Sequence, residues 1–282
     1  MRIPGSYADI VPRVLSGVVL AALGLVAVLL GGWWFRAAVF LVIAAIVWEL
    51  GRMLASAPDV GAPGQGGAVA VPGAVPALGP NVLRVAAAVT AALVVGVATI
   101  DPGPGLVLLA VPSLLVLTLP VPHRRVVAAY LLLVCVGGAG FLSLREGFGA
   151  LWLIWLVLVV VGSDVAGYFA GRTFGGPKLW PRVSPKKTWS GTVAGWAVAL
   201  ALGLAFLWPL QQGWSFVALT LFVCIAGQAG DIAESALKRR VGVKDSSQLI
   251  PGHGGVTDRF DAMLAAALAF HLAALAGLVA QG

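Results

Sequence analysis

The sequence predicts an all-α integral membrane protein, a polytopic bundle of about nine transmembrane helices. Of its 282 residues, 60% are hydrophobic and only 10% are charged, whereas a soluble domain carries about 25% charged residues. Apolar stretches of about 20 residues, enough to cross a bilayer, follow one another along most of the chain. They are continuous, as in 151–162, and lack the polar–apolar alternation of a membrane β-barrel.

Nine spans can be laid out in order, separated by short polar or glycine-rich segments. The first is longer than the apolar core of a cleavable signal peptide, about 7–15 residues, so we expect it to remain as a membrane span. The fourth is short and contains Pro112. The predicted spans lie near 14–32, 36–55, 81–100, 104–120, 125–144, 149–171, 190–209, 214–235 and 259–280.

The chain divides into two predicted regions. Residues 1–150 contain the N-terminal transmembrane helices and a loop at 56–80, whose Gly, Pro and Ala content is typical of a flexible linker. Residues 151–282 contain the remaining helices and two basic loops, at 172–189 and 236–258.

The basic residues orient the predicted bundle. Lys and Arg in short loops concentrate on the cytoplasmic side of a membrane. If the N-terminus is cytoplasmic, every Lys and Arg except Arg36 and Arg145 falls in an inside segment. We therefore expect a cytoplasmic N-terminus, an outside C-terminus and both basic loops on the cytoplasmic face.

Acidic residues at the ends of the later spans are the candidates for chemistry, because acids within membrane spans are costly and by default functional. They form closely spaced groups: Asp164 with Tyr168 one turn later, Asp231 with Glu234, and Asp258 with Asp261. Each could simply pair with a neighbouring Arg. However, several carboxylates meeting at one membrane face suit Mg²⁺, which binds through one or two carboxylates plus substrate phosphates.

Glu49 is the exception among the acids in spans. It lies near the cytoplasmic end of the second predicted span, three residues before Arg52. We expect these two residues to pair and Glu49 to be structural.

Two loops next to the acids have features of phosphate-binding segments. Residues 186–191, Lys-Lys-Thr-Trp-Ser-Gly, lead into the seventh span without a preceding strand, and a helix N-terminus favours anions. Residues 251–255, Pro-Gly-His-Gly-Gly, form a glycine-rich turn ahead of Asp258, where bare amides can approach an anion. The combination predicts phosphoryl or nucleotidyl transfer, achieved by positioning and charge neutralisation.

Residues 235–261 resemble the signature of the phosphatidate cytidylyltransferase family, also called CDP-diacylglycerol synthases. The resemblance rests on four groups of residues: Lys238-Arg239, Lys244-Asp245, His253-Gly-Gly255 and Asp258-Arg-Phe-Asp261. A second resemblance covers Asp164 to Gly191, with its Asp, Tyr, Gly-Arg and Ser-Pro-Lys-Lys-Thr. The first 150 residues match only as apolar helices.

The resemblance implies an Mg²⁺-dependent nucleotidyltransferase of phospholipid biosynthesis. The enzyme would transfer CMP from CTP to phosphatidic acid, giving CDP-diacylglycerol and pyrophosphate. Asp231 and Asp258 would bind the metal, with a K⁺ ion suggested beside it. The implied catalytic residues are Lys244, Asp245, His253, Arg259 and Asp261. The implied substrate-binding residues are Asp164, Tyr168, Ser184, Lys186, Lys187, Thr188, Lys238 and Arg239.

The same resemblance implies that 151–282 is the catalytic region, that membrane lipid and not nucleic acid is the partner, and suggests a homodimer. The size and simplicity of the chain suggest a bacterial inner (plasma) membrane, with the active site facing the cytoplasm. One residue departs from the family pattern: Ser190 stands where Glu is usual, so the role of that acid is absent or has moved, with Glu234 as a candidate.

Two other classes of protein remain as alternatives. A transporter would also have many spans with intramembrane acids, but it should show inverted repeats and broken helices near mid-bilayer. A different enzyme acting on lipid phosphates, such as a CDP-alcohol phosphatidyltransferase or a prenyl-phosphate transferase, is closer. A phosphatidyltransferase should show Asp-Gly followed by Ala-Arg and later paired Asp residues, a pattern that the sequence lacks.

Overall fold

A computed structural model describes residues 7–55, 80–97, 102–119, 123–250 and 254–279. Within these ranges the chain forms nine α-helices, each overlapping one predicted span. They are α1 Tyr7–Leu30, α2 Gly32–Ala55, α3 Pro80–Val97, α4 Pro102–Thr118, α5 Arg124–Ser143, α6 Ala150–Thr173, α7 Trp189–Phe206, α8 Ser215–Arg240 and α9 Thr257–Leu275. A π-helical turn, Leu144–Phe148, joins α5 to α6.

Five segments in the described ranges are long and apolar enough to cross a membrane. They are Gly32–Leu54, Arg124–Phe148, Ala150–Thr173, Trp189–Phe206 and Ser215–Arg240. The helices α1, α3 and α4 contain shorter apolar segments. An integral membrane protein is thereby supported, while the count of nine spans stays a prediction. The predicted linker at 56–80 lies outside the described residues, except that Pro80 begins α3.

The loop predicted at 172–189 contains a small β-hairpin, so the expectation that no strand precedes the basic segment was wrong. Strand β1, Lys178–Trp180, pairs antiparallel with β2, Ser184–Thr188. The turn between them is closed by a hydrogen bond of 3.2 Å from Val183 N–H to the Trp180 carbonyl, with Pro181 at its second position. Strand β2, Ser-Pro-Lys-Lys-Thr, lacks the apolar alternation by which strands are recognised in a sequence.

Helix α9 is held between α5 and α8 by close backbone contacts. On one side, Gly137 of α5 lies against the Leu264 carbonyl with no room for a methyl group. On the other side, a methyl group on Gly230 of α8 would collide with the Ala265 side chain and lie 2.8 Å from the Asp261 carbonyl. Small residues allow helices to approach in this way within membranes. The packing fixes the position of α9, whose first turns carry Asp258 and Asp261.

The two arginines predicted to lie outside meet at one end of the bundle. Arg36 of α2 makes a bidentate ion pair with Glu146, with both distances 2.7 Å. Arg145 donates a hydrogen bond of 2.6 Å to the Val28 carbonyl at the end of α1. Exposed tryptophans, which are typical of a membrane–water interface, flank the α1–α2 and α7–α8 connections: Trp33, Trp34, Trp208 and Trp214.

Candidate active site

Three carboxylates from α8 and α9 form a compact acidic cluster. Asp231 and Glu234 lie one helical turn apart on α8, and Asp261 faces them from α9. One oxygen of each lies within 4.8 Å of the others. Glu234 and Asp261 are only 1% and 7% exposed, and Glu234 Oε1 has no hydrogen-bond partner among the described residues. We refer to Asp231, Glu234 and Asp261 as the acidic cluster.

Two lysines neutralise the acids of this region. Lys238, one turn after Glu234 on α8, has its Nζ 2.7 Å from Glu234 Oε2 and 2.7 Å from Asp258 Oδ1. Lys187, at the end of the hairpin, makes an ion pair with Asp231. The acidic cluster is thus flanked by positive charge on both sides, an arrangement that suits a site for both a cation and phosphate groups.

Asp258 occupies a different position from the acidic cluster. Besides its ion pair with Lys238, its Oδ2 accepts hydrogen bonds from Gly255 N–H at 2.8 Å and from the Ser246 hydroxyl at 3.0 Å. The Ser246 N–H adds a third at 3.3 Å. Both oxygens of Asp258 are therefore occupied by protein groups, and Asp258 joins the loop before α9 to the end of α8.

The hairpin positions the basic residues ahead of α7. Thr188 is the N-cap of α7 and its hydroxyl accepts a hydrogen bond of 3.2 Å from Gly191 N–H. Gly191 in turn lies against the Gly167 carbonyl of α6 with no room for a side chain. Lys186 and Lys187 immediately precede this N-cap, so they lie next to the N-terminus of α7, where anions are favoured.

A cavity of about 390 Å³ lies between α6, the hairpin, α7 and α8. Five of the residues predicted to bind substrate line this cavity, and so does Arg172. The Arg172 guanidinium donates a hydrogen bond of 3.0 Å to the Tyr168 hydroxyl. Lys187 connects the cavity to the acidic cluster through its ion pair with Asp231. The lining residues are Ser163, Asp164, Gly167, Tyr168, Gly171, Arg172, Leu179, Lys186, Lys187, Thr188, Gly191, Thr192 and Gln228.

The remaining predicted site residues are less enclosed. Ser184 begins β2, beside the cavity but not in its wall. Four others are exposed: Arg239, Lys244, Asp245 and Arg259. The predicted catalytic residue His253 lies outside the described residues.

Sequence reasoning missed the partners of Glu49. Its carboxylate is fully buried and accepts hydrogen bonds from five groups that belong to Ser246, Ser247, Val256 and Thr257. Arg52, the partner expected from its spacing, lies with its guanidinium 4.9 Å from the Trp48 ring centroid. The only signal in the sequence was an acid in an apolar span, and nothing indicated that α2 would reach the loop before α9.

Two further details concern residues near the cavity. Gln228, which the sequence did not single out, accepts a hydrogen bond of 3.0 Å from the Trp196 indole and lines the cavity one turn before Asp231. Ser190, present where the family usually has Glu, donates a hydrogen bond to the Gly175 carbonyl. Ser190 therefore ties the first turn of α7 to the segment that follows α6.

The residues of the acidic cluster fit a hard divalent cation. Three carboxylates converge, one buried oxygen accepts no hydrogen bond from the part of the chain that the structure describes, and Mg²⁺ prefers oxygen ligands. Asp231 belongs to this set, as predicted for the metal. Asp258, the other predicted ligand, shares Lys238 with Glu234 and has both of its oxygens bonded to protein groups, whereas Glu234 and Asp261 complete the cluster.

The chain belongs to the cytidylyltransferase family, whose sequence profile matches residues 11–276. The match therefore includes the N-terminal helices as well as the signature.

Curated relatives carry a more specific name. The chain is 50% identical over 143 residues to the phosphatidate cytidylyltransferase of Brucella suis, a match covering 48% of this chain and 53% of the relative. It is 42% identical over 139 residues to that of Helicobacter pylori, covering 48% and 52%. For the Bacillus subtilis protein the identity is 40% over 129 residues, covering 44% and 48%. The chain thus spans about half the length of the curated relatives it matches.

Proposed function

We propose that this protein is a CTP:phosphatidate cytidylyltransferase, which transfers CMP from CTP to phosphatidate and releases pyrophosphate. The observation that carries the proposal is the acidic cluster flanked by Lys187 and Lys238, next to a basic cavity at the ends of apolar helices. A soluble nucleotide and a membrane-embedded phosphate can both reach such a position. Membership of the cytidylyltransferase family and the names of the relatives support the same reaction.

The chemistry requires positioning more than proton transfer. An oxygen of the phosphatidate phosphate forms a bond to the α-phosphorus of CTP, while the bond from that phosphorus to the bridging oxygen of the β-phosphate breaks. The phosphate is already an anionic nucleophile, so a general base is not needed. Lysines such as Lys187 and Lys238 would offset the repulsion between the two anionic substrates, and Arg172 with Tyr168 would orient a phosphate in the cavity.

We further propose that Asp231, Glu234 and Asp261 bind Mg²⁺. When bound, this ion would neutralise charge on the phosphates of CTP and on the pyrophosphate leaving group. Two of these carboxylates already pair with lysine ammonium groups, Asp231 with Lys187 and Glu234 with Lys238. A bound Mg²⁺ would compete with these ammonium groups for the carboxylates. A K⁺ ion next to Mg²⁺, and a homodimer, remain proposals from the family resemblance.

The proposed membrane arrangement follows from the basic residues. The active site would face the cytoplasm of a bacterial cell from the inner membrane. The two loops rich in Lys and Arg are predicted to lie on the cytoplasmic side. Arg36 and Arg145, the two basic residues predicted to lie outside, meet at one end of the bundle, which supports this orientation. CTP is a cytoplasmic metabolite, so an active site that faces the cytoplasm could bind it directly.

The test is formation of CDP-diacylglycerol from CTP and phosphatidate by detergent-purified protein, with Mg²⁺ and with or without K⁺. The wild type is compared with Asp231→Asn and Asp258→Asn, and with Glu146→Gln as a control at the other end of the bundle. We expect product and pyrophosphate in equal amounts from the wild type and the control, and loss of both in the two Asp variants.

Two results would contradict the proposal in different ways. Absence of product from a well-folded wild type would overturn the reaction and favour another lipid-phosphate transferase. Product formation that survives Asp231→Asn unchanged would retain the reaction but discard the acidic cluster as its centre.

A further inference from the structure

Both carboxylate oxygens of Glu49 in α2 accept hydrogen bonds from the segment before α9 and from the first residue of α9. Its Oε2 accepts hydrogen bonds from Thr257 N–H at 2.8 Å, the Thr257 hydroxyl at 2.6 Å and the Ser246 hydroxyl at 3.2 Å. Its Oε1 accepts from Val256 N–H at 2.9 Å and from the Ser247 hydroxyl. The side chain is 0% exposed. Five donors converging on one carboxylate make a specific binding arrangement for Glu49 rather than incidental burial.

The arrangement caps α9 from a different helix. The first N–H groups of a helix lack partners within it, and a side chain of the N-cap residue usually accepts from one of them. The N-cap of α9 is Val256, which has no side-chain acceptor. Glu49 supplies the missing acceptor from α2, and its negative charge lies where the α9 dipole is positive. The start of α9 is therefore set by a residue about 200 positions earlier in the chain.

The cap is linked directly to Asp258. The Ser246 hydroxyl lies 3.2 Å from Glu49 Oε2 and 3.0 Å from Asp258 Oδ2, so the two carboxylates share its single proton. Gly255 lies between them: its N–H donates to Asp258, and an added Cβ would overlap both the Ser246 hydroxyl and the Glu49 carboxylate. The glycine is required because Glu49 fills the space that a side chain would need.

The consequence reaches the acidic cluster through the first turn of α9. Asp258 and Asp261 lie one turn apart, so any rotation or shift of this helix start moves both. Asp258 then loses its position against Lys238, and Asp261 its position against Asp231 and Glu234. Carboxylates must be held within a few tenths of an ångström to bind a metal ion well.

We propose that Glu49 is a positioning residue for the metal site: by capping α9 from α2, it holds Asp261 in the acidic cluster. The inference deepens the proposed function and rests on its metal site. It predicts that Glu49 affects the affinity for a divalent cation, although Glu49 belongs to neither the acidic cluster nor the cavity wall.

The test uses Glu49→Gln, which keeps the shape but presents an NH₂ donor to groups that are themselves donors. Mn²⁺ binding to purified protein in detergent is measured by electron paramagnetic resonance, without substrate. We expect Mn²⁺ affinity about 10- to 100-fold weaker than in the wild type, the range found when outer partners of metal ligands are removed. In the assay, the Mg²⁺ concentration for half-maximal activity should rise by a similar factor, while KM for CTP at saturating Mg²⁺ changes little.

A matched pair at Thr257 keeps the inference testable if Glu49→Gln folds poorly. Thr257→Val preserves the side-chain shape but removes the hydroxyl that donates to Glu49 at 2.6 Å, whereas Thr257→Ser retains it. We expect a weaker Mn²⁺ affinity in Thr257→Val and a nearly normal one in Thr257→Ser. Glu146→Gln, the same chemical change near the other end of α2, should leave Mn²⁺ binding unaltered.

The outcomes separate this inference from the proposed function. A merely structural role would reduce the number of Mn²⁺ sites and the maximal rate without changing the affinity, and that result overturns the inference. An active wild type with equal Mn²⁺ affinity in all variants overturns it as well, leaving the proposed function intact. A wild type that makes no CDP-diacylglycerol but shows the predicted shift in Mn²⁺ affinity overturns the proposed function alone.

Discussion

Lys238 and Asp258 form an ion pair of 2.7 Å that joins the last turn of α8 to the first turn of α9. The two residues are 20 positions apart in sequence and each side chain is only 13% exposed. Because the same Nζ also contacts Glu234 at 2.7 Å, one lysine balances two acids at the point where the proposed metal site and the signature loop meet.

The ion pair itself can be tested by a double-mutant cycle. Lys238→Met leaves Glu234 and Asp258 without their buried cation, which should cost about 3 kcal/mol of unfolding free energy. Asp258→Asn alone should also destabilise. The double variant should lose less than the sum of the two, by about 1–3 kcal/mol, as measured by denaturant unfolding in detergent micelles. Strict additivity would show that the pair contributes nothing to the folded protein.

Removing acids from the acidic cluster should abolish activity without unfolding the protein. We expect Glu234→Gln and Asp261→Asn each to lower the rate of CDP-diacylglycerol formation by at least about 100-fold and to weaken Mn²⁺ binding. Both changes keep the side-chain volume. Neutralising the buried Asp261 reduces its desolvation cost, so the melting temperature of Asp261→Asn should hold or rise. Glu234→Gln also gives up the ion pair with Lys238 and should lower the melting temperature modestly, with Lys238 still paired to Asp258. A variant that still binds Mn²⁺ like the wild type would exclude that residue as a ligand.

Lys187→Met should move metal affinity and turnover in opposite directions. Lys187 pairs with Asp231, so it competes with a cation for that carboxylate. Without the lysine, Mn²⁺ binding in the absence of substrate should become roughly 3- to 10-fold tighter, since a nearby positive charge has been removed. Turnover should fall, because the same charge would offset the phosphates of the substrates. Lys187→Arg serves as the control that keeps the charge, and weaker Mn²⁺ binding in Lys187→Met would refute this account.

Gly255→Ala should inactivate the protein although it adds only one methyl group. The new Cβ would collide with the Ser246 hydroxyl and the Glu49 carboxylate, both less than 3 Å away. The loop must then shift, and Asp258 loses the N–H of residue 255 as a donor. We expect a clear drop in melting temperature together with loss of activity. Gly24→Ala in α1, where a Cβ meets nothing within 4 Å, should behave like the wild type in both assays.

Much of the architecture follows from the sequence because lipid contact imposes simple rules. Every helix overlaps a span predicted from continuous apolar residues. The spacing of Asp231 and Glu234 was enough to place both acids on one face of α8. Their meeting with Asp261 was foreseeable because the acids cluster at the ends of neighbouring spans on one predicted side of the membrane.

Other features depend on contacts that no local pattern encodes. The hairpin of β1 and β2 contains a turn at Pro181, and its strands are too short and polar for an alternation signal. Glu49 was expected to interact with Arg52 because only neighbours along a helix can be inferred from spacing. Its partners at Ser246 and Thr257 come from the packing of helices at opposite ends of the sequence, which a single sequence does not reveal.

The capping of α9 by Glu49 has a consequence for the order of events during synthesis. The chain between Glu49 and Thr257, a separation of 208 residues, takes roughly 10–40 s to translate at bacterial or slower rates. Throughout this interval α2 is already available for membrane insertion while the donors that its acid will bind have not been made. The start of α9 therefore acquires its cap from α2 only after Thr257 has emerged from the ribosome, so the two ends of the sequence must come together after synthesis of the segment between them.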